Sequence, residues 1–169
     1  MKVTVIANIS ANGKVLLSDH PHHQLPPEAM EFYVEFAKKV GNLVIGLKTF
    51  ENFLTFPQEV KEHFNGIEIV ILSEKSYASK GYKTVKSPEE AIEYMSEKGL
   101  NEMAVGGGTG TFNAFIDKDL VTDIYFNIHP LITGMGGILG NNSELNSKFK
   151  HTEYKLKEGF IQLHLTKED

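Results

Sequence analysis

Residues 105–111, Val-Gly-Gly-Gly-Thr-Gly-Thr, constrain the possible folds of this chain more than any other stretch. They follow the apolar Met103, Ala104 and Val105 and precede Phe112 to Ile116, so they read as the junction of a buried strand with a helix. Glycine lets the main chain take positive φ and approach a ligand closely, and a helix start leaves N–H groups without intrahelical partners. Four glycines in five positions exceed what a tight turn requires. They form a cradle for an anion, above all a phosphate; the alternative is a strand-to-helix turn that holds nothing.

Several partner classes drop out on composition. The 169 residues suit one domain, spanning 1–169, and their net charge of −5 with dispersed lysines lacks the basic stripe of a nucleic-acid face. No apolar run approaches the ~20 residues that cross a bilayer, and Met1 to Ile6 leads directly into a strand pattern rather than a secretory leader, so a cytoplasmic location is expected. Without cysteine there is neither a disulfide nor a thiolate nucleophile. All 17 basic residues are lysine, so anions must be met by point charges, hydroxyls and main-chain N–H groups rather than a guanidinium fork.

Along the chain, strand and helix patterns alternate. Val3–Ile9 reads as a buried strand, and Pro26-Pro27 opens a helix with Met30, Tyr33, Phe36, Ala37 and Val40 on one face and Gly41 past its end. Asn42–Ile45 and Ile67–Leu72 are further strands, with a turn at 46–49 leading into Phe50–Leu54; Lys83–Val85 is a short strand. Ser87, Pro88 and Glu90 form a capping box ahead of Ala91, Ile92 and Met95. After the glycine cluster, Asp123–Leu131 alternates, with Asp123 expected at a cap or in solvent, and residues 134–142 read as a long flexible loop. Thr152, Tyr154 and Leu156 face Ile161, Leu163 and Leu165 across Lys157-Glu158-Gly159, as in an antiparallel hairpin. The pattern is that of a single α/β domain, with a mostly parallel central sheet flanked by helices and an antiparallel C-terminal hairpin.

Neither common nucleotide fingerprint fits. A dinucleotide fold of the Rossmann kind puts its glycines in the first strand-to-helix turn, and a Walker loop ends in Gly-Lys-Ser/Thr. Three segments together instead resemble the dihydrofolate-reductase-like superfamily, and within it the reductase domain of riboflavin biosynthesis. Residues 6–15 resemble its first strand and S-x-D-G-x-I turn, with Asn12 for the aspartate. Residues 44–51 resemble its G-R-x-T-x-E segment, with Leu47 for the arginine, and residues 105–136 resemble its GG…L-V-D-E-L…P-x-L-L-G-x-G signature.

The resemblance implies hydride transfer from NADPH to a small-molecule substrate, in a protein that is a homodimer. Carried over, Ala7 offers main chain to the nicotinamide, while Gly46, Lys48, Thr49 and Ser73 approach the adenosine and diphosphate side. Gly107, Gly108, Thr109, Gly110 and Thr111 receive the diphosphate. The substrate implied is a ribosylamino-pyrimidine phosphate, with Asn8 and His23 at its pocket. Residues 25–32 also resemble the L-P-x-D/E-L-x-x-F segment of dihydrofolate reductases, which makes Glu28 the candidate proton donor; first-turn placement by the helix dipole is its structural alternative. The missing arginine, which in those enzymes clamps the folate carboxylate, leans away from folate. A dihydrofolate reductase and a noncatalytic nucleotide-binding protein stay open as alternatives. His20, His22 and His23 lack a fourth ligand at metal spacing, so they are read as loop rather than as a metal site.

Overall fold

Strand order and the faces of the strands set where this chain can bind anything. A computed structural model of the chain describes residues 1–168. In chain order the elements are β1 (Lys2–Ser10), α1 (Pro27–Val40), β2 (Asn42–Gly46), α2 (Leu47–Leu54), α3 (Gln58–Glu62), β3 (Glu68–Leu72), β4 (Lys83–Val85) and α4 (Pro88–Glu97). Then come β5 (Glu102–Gly107), α5 (Thr109–Ile116), β6 (Asp123–His129), β7 (Phe149–Lys157) and β8 (Phe160–Lys167). The described residues form one eight-stranded sheet ordered β4-β3-β2-β5-β1-β6-β8-β7. It is parallel from β4 to β6, and β8 and β7 add on antiparallel.

Period-two alternation gives β1, β2, β3 and β5 two apolar faces, so the middle of the sheet is buried on both, whereas β7 at its edge is largely exposed. On one face Val3, Val5, Ala7, Val44, Val70 and Val105 pack with Ala91 and Met95 of α4 and with Phe112 and Phe115 of α5. On the other, Ile6, Leu43, Ile45, Ile69 and Ile71 pack with Phe36 and Ala37 of α1 and with Phe50 and Phe53 of α2. Each large apolar side chain contributes about 1.5–3 kcal/mol by leaving water. Asn42, fully buried, staples β2 to β5: its Nδ2 donates to Glu102 O at 2.8 Å and its Oδ1 accepts from Ala104 N at 3.1 Å.

Most boundaries follow the local chemistry. Gly41 ends α1 in the left-handed conformation at φ 81°, where its N–H reaches Ala37 O. Ser87 Oγ caps α4 by accepting from Glu90 N at 3.2 Å, but Glu90 returns its carboxylate to Lys86 N at 2.8 Å, one residue ahead of the cap.

Elsewhere the structure departs from the sequence expectation. The turn expected at 46–49 shrinks to Gly46, because α2 begins at Leu47. Helix α3 is an element the periodicity did not suggest. Asp123 is 4 % exposed rather than solvent-facing, and it accepts from His164, Thr166 and Thr122. The loop at 134–142 is tied down over residues 137–142: Val15 N donates to Gly137 O, Asn113 holds Ile138 O and Gly140 N, and Asp117 accepts from Asn141 and Asn142 N. In the hairpin a register shift between His151 and Glu153 places His151, not Thr152, opposite Leu165.

Candidate functional site

A crevice opens where two neighbouring strands part. β1 pairs with β5 only from Lys2↔Glu102 to Val5↔Val105; β1 then continues along β6 to Ser10↔His129, while β5 turns to β2 at Ile45↔Gly107. In open α/β sheets such a divergence beyond the carboxyl ends of the strands is where ligands enter. A cavity of about 840 Å³ lies there, lined by Ile6 and Asn8 of β1, Ser73 and Glu74 after β3, Lys86 after β4, and Gly106 and Gly107 at the end of β5 with Gly108 after them. Its volume falls within the range of sites for small molecules and cofactors.

The glycine cluster is divided between elements. Gly106 and Gly107 end β5, Gly108 caps α5, and Thr109 and Gly110 form the first turn of α5; the Gly107–Gly108 peptide is cis. A Cβ at Gly106 would overlap the Tyr33 hydroxyl, which donates to Gly106 O at 3.3 Å and whose pKa burial pushes well above the usual phenol range. A Cβ at Gly46 would stand 2.5 Å from Thr111 Oγ1, so β2 and α5 meet without a side chain between them. Gly110 differs: a Cβ built there meets no protein atom within 4 Å. Phe112 N is bonded to Gly108 O, whereas the Thr109, Gly110 and Thr111 N–H groups precede the first intrahelical bond. These N–H groups and the positive end of the helix dipole suit an anion.

The structure brings Asn8, His23, Gly46, Lys48, Thr49, Ser73 and residues 107–111 to this one cavity. Lys48 is exposed and pairs with Asp19 at 3.8 Å. Ser73 donates its hydroxyl to Lys75 O at 3.1 Å, so Lys75 is linked to the wall without lining it. His23 is 2 % exposed with both ring nitrogens engaged: Nδ1 accepts from Leu17 N at 3.0 Å, so Nε2 carries the hydrogen toward Thr133 Oγ1 at 3.1 Å. Burial, together with His20 and His22, lowers its pKa. His23 is therefore a neutral clamp that ties the Leu17 stretch of the wall to the Thr133 loop behind it.

Two sequence candidates are not brought to the lining. Ala7 has its methyl group in the core, because a strand alternates and its neighbours Ile6 and Asn8 take the cavity side; the expectation for it concerned its main chain, which the direction of the methyl does not decide. Glu28 sits in the first turn of α1 and accepts from Glu158 N, at the β7–β8 turn, at 3.2 Å. Lys86, Ser87 and Lys118 line the cavity without having been expected there from the sequence, which offered Ser87 only as a helix cap. The parallel topology was the signal for the first two, since it puts the β4–α4 junction on the same rim as the glycine cluster.

An open, mainly parallel sheet with this crevice and an antiparallel C-terminal pair is the dihydrofolate-reductase-like fold. The family model of the RibD C-terminal domain matches residues 2–160, and the chain belongs to that family. Among solved structures, a putative riboflavin biosynthesis protein from Shewanella sp. PV-4 superposes with a TM-score of 0.78 at 19% identity, covering 100% of both chains. A pyrimidine reductase-like protein from Corynebacterium diphtheriae gives 0.76 at 13%, covering 99% of this chain and 92% of its own. Dihydrofolate reductase from Enterococcus faecalis, complexed with NADP(H) and RAB-propyl, gives 0.75 at 18%, covering 99% and 97%. At such identities the likeness speaks for the fold. No curated protein sequence matches the chain.

Proposed function

We propose that this protein is an NADPH-dependent reductase of the riboflavin-biosynthesis type, transferring hydride to a ribosylamino-pyrimidine or a similar small heterocyclic substrate. The observation that carries the reading is the crevice between β1 and β5, walled by a helix start whose Thr109, Gly110 and Thr111 N–H groups are free for an anion. A cradle that a Gly110 Cβ would enter without touching protein fits a diphosphate. The fold family and its NADP(H)-bound structural neighbour support the cofactor class.

In this reading the dinucleotide supplies the hydride, and the chain binds, orients and excludes water. Gly107, Gly108, Thr109, Gly110 and Thr111 hold the diphosphate, and Gly46, Lys48, Thr49 and Ser73 hold the adenosine side. Lys86 stands on the same rim as a further cation for a 2′-phosphate. The nicotinamide lies toward β1, with the substrate beside Asn8 under the wall that His23 clamps. Glu28 is bound to the hairpin and no arginine is present, which favours this reading over a dihydrofolate reductase. The same reading has the protein act in the cytoplasm as a homodimer, for which exposed Tyr154 and Leu156 on the terminal hairpin offer apolar surface; sedimentation measures that directly. No described helix is long and apolar enough to cross a membrane.

The test compares NADPH, NADH and ATP by thermal shift, then follows loss of NADPH absorbance with ribosylamino-pyrimidine substrates. Selective stabilisation by NADPH and turnover are expected; unchanged melting with all three nucleotides refutes the reading.

A further inference from the structure

The wall of the cavity at Asn8 continues into a buried row of amides. Asn8 lies opposite Asn127 in the β1–β6 register, and Asn127 lies opposite Gln162 in the β6–β8 register, so three amides stand side by side across three strands. His129 is two residues beyond Asn127 on the same face of β6. Asn127, His129 and Gln162 are at most 6 % exposed, and of the four residues only Asn8 lines the cavity. Apolar side chains would fill a strand row at less cost in desolvation, so a buried polar row that ends at a cavity calls for a reason.

The hydrogen bonds run in one direction. Gln162 Nε2 donates to Asn127 Oδ1 at 2.9 Å, which turns Asn127 Nδ2 toward Asn8 Oδ1 at 3.1 Å. His129 Nε2 lies 3.0 Å from the same Asn8 oxygen. Burial lowers the pKa of His129, so the ring is neutral near pH 7 and donates through Nε2–H. With two donors on its oxygen, the Asn8 amide is fixed with its N–H2 on the opposite side. That nitrogen has no partner among the described residues, yet the one buried side-chain atom lacking a partner among them is Thr84 Oγ1. Asn8 Nδ2 therefore opens onto the cavity. Ile6 precedes it on the same face and Leu16 N donates to Asn8 O at 2.9 Å, while the 15–25 segment that also lines the cavity brings Leu17 and Leu25 together with Ser18, Asp19 and His23.

We propose that Gln162, Asn127 and His129 are positioning residues that lock Asn8 as a hydrogen-bond donor, and that its N–H2 selects a flat ring carrying a carbonyl oxygen at the β1 side of the cavity. This rests on the reductase reading and adds a polarity rule for its substrate: the ring must accept at this point, and a ring presenting an amino group there is refused. A fixed donor on a cavity wall discriminates, because the wrong ring leaves two N–H groups facing each other with no acceptor.

The experiment titrates NADPH-saturated protein with uracil and with 2,4-diaminopyrimidine, a pair alike in shape and opposite in exocyclic polarity, by ligand-observed NMR. Wild type is expected to bind uracil the more tightly. Asn8→Asp keeps an oxygen for Asn127 and His129 but turns the donor into an acceptor, so the order of the two rings should invert, each affinity moving about 3- to 10-fold. Asn8→Ala should weaken uracil by a similar factor without improving the diaminopyrimidine. Gln162→Met, which releases Asn127, should weaken uracil alone and leave the NADPH affinity as in wild type, a split that mere loosening of the fold does not produce. Preference for the diaminopyrimidine, binding of neither ring, or an order unaltered by Asn8→Asp overturns the proposal while NADPH binding stands. Failure of wild type to take up NADPH brings down the reductase reading with it.

Discussion

Gly110→Ala separates what the protein needs for folding from what the cavity needs for its ligand. Gly110 is in the first turn of α5, its φ is not positive, and a Cβ there meets nothing within 4 Å. Alanine is favoured over glycine in a helix by up to about 1 kcal/mol, and less in a first turn, so the unliganded variant should melt at the wild-type temperature or up to about 4 °C above it. The added methyl occupies the space assigned to the diphosphate. Overpacking of that kind costs about 1–3 kcal/mol, a loss of roughly 5- to 150-fold in NADPH affinity. At a hundred times the wild-type dissociation constant, NADPH contributes about 2.7 kcal/mol, or about 5–11 °C of stabilisation for a chain of this size. In the variant the same NADPH concentration should contribute only about 0.3–1.8 kcal/mol, a loss of roughly a third to nine-tenths of the shift. Differential scanning fluorimetry with and without NADPH, joined to a fluorescence titration, measures both quantities. An unliganded melting point well below wild type refutes the open-space argument, and an undiminished NADPH shift refutes the assignment of the diphosphate to α5.

Asn42→Leu should cost about 2–5 kcal/mol in chemical denaturation, because it leaves Glu102 O and Ala104 N buried and unpaired between β2 and β5. His23 and His129 have pKa values lowered by burial, so the unfolded chain takes up their protons first. Their stabilisation is complete above the unfolded value of 6.5 and declines as pH falls through it; melting temperature should drop between pH 7 and 5.5, less steeply in His129→Gln. Glu28→Ala removes one exposed bond to Glu158 N, so stability should change by about 0.5 kcal/mol or less, with NADPH affinity and turnover close to wild type. A large fall in turnover with NADPH binding intact would return Glu28 to the reaction.

How much of this was legible in the sequence depended on whether a feature is set locally. Gly41 past α1, Ser87 ahead of α4 and the strand at 83–85 rest on the chemistry of a few adjacent residues, and the structure has them in place. The glycine cluster marked the site for the same reason, although its first two glycines finish the strand rather than form a turn. Asp123 and the loop at 134–142 were misjudged because their partners, His164, Thr166, Asn113 and Asp117, come from other elements. Glu28 shows the limit of motif transfer: the segment around it matches, yet its carboxylate is taken by a turn 130 positions away. The amide row was unreadable in advance, since Asn8, Asn127 and Gln162 look like scattered polar residues until the strand order aligns them.

The chain's first strand is an interior strand. β1 lies between β5 and β6, and Val3 N is held by Thr122 Oγ1, 119 positions further on. During synthesis the opening segment therefore emerges long before either neighbour exists, and its apolar residues must wait, unpaired, for the last two-fifths of the polypeptide. Contacts so distant in sequence slow the search for the native state and prolong exposure of sticky surface. A nascent chain stalled before residue 123 would lack one whole flank of this strand and should be a client for chaperones rather than a stable fragment.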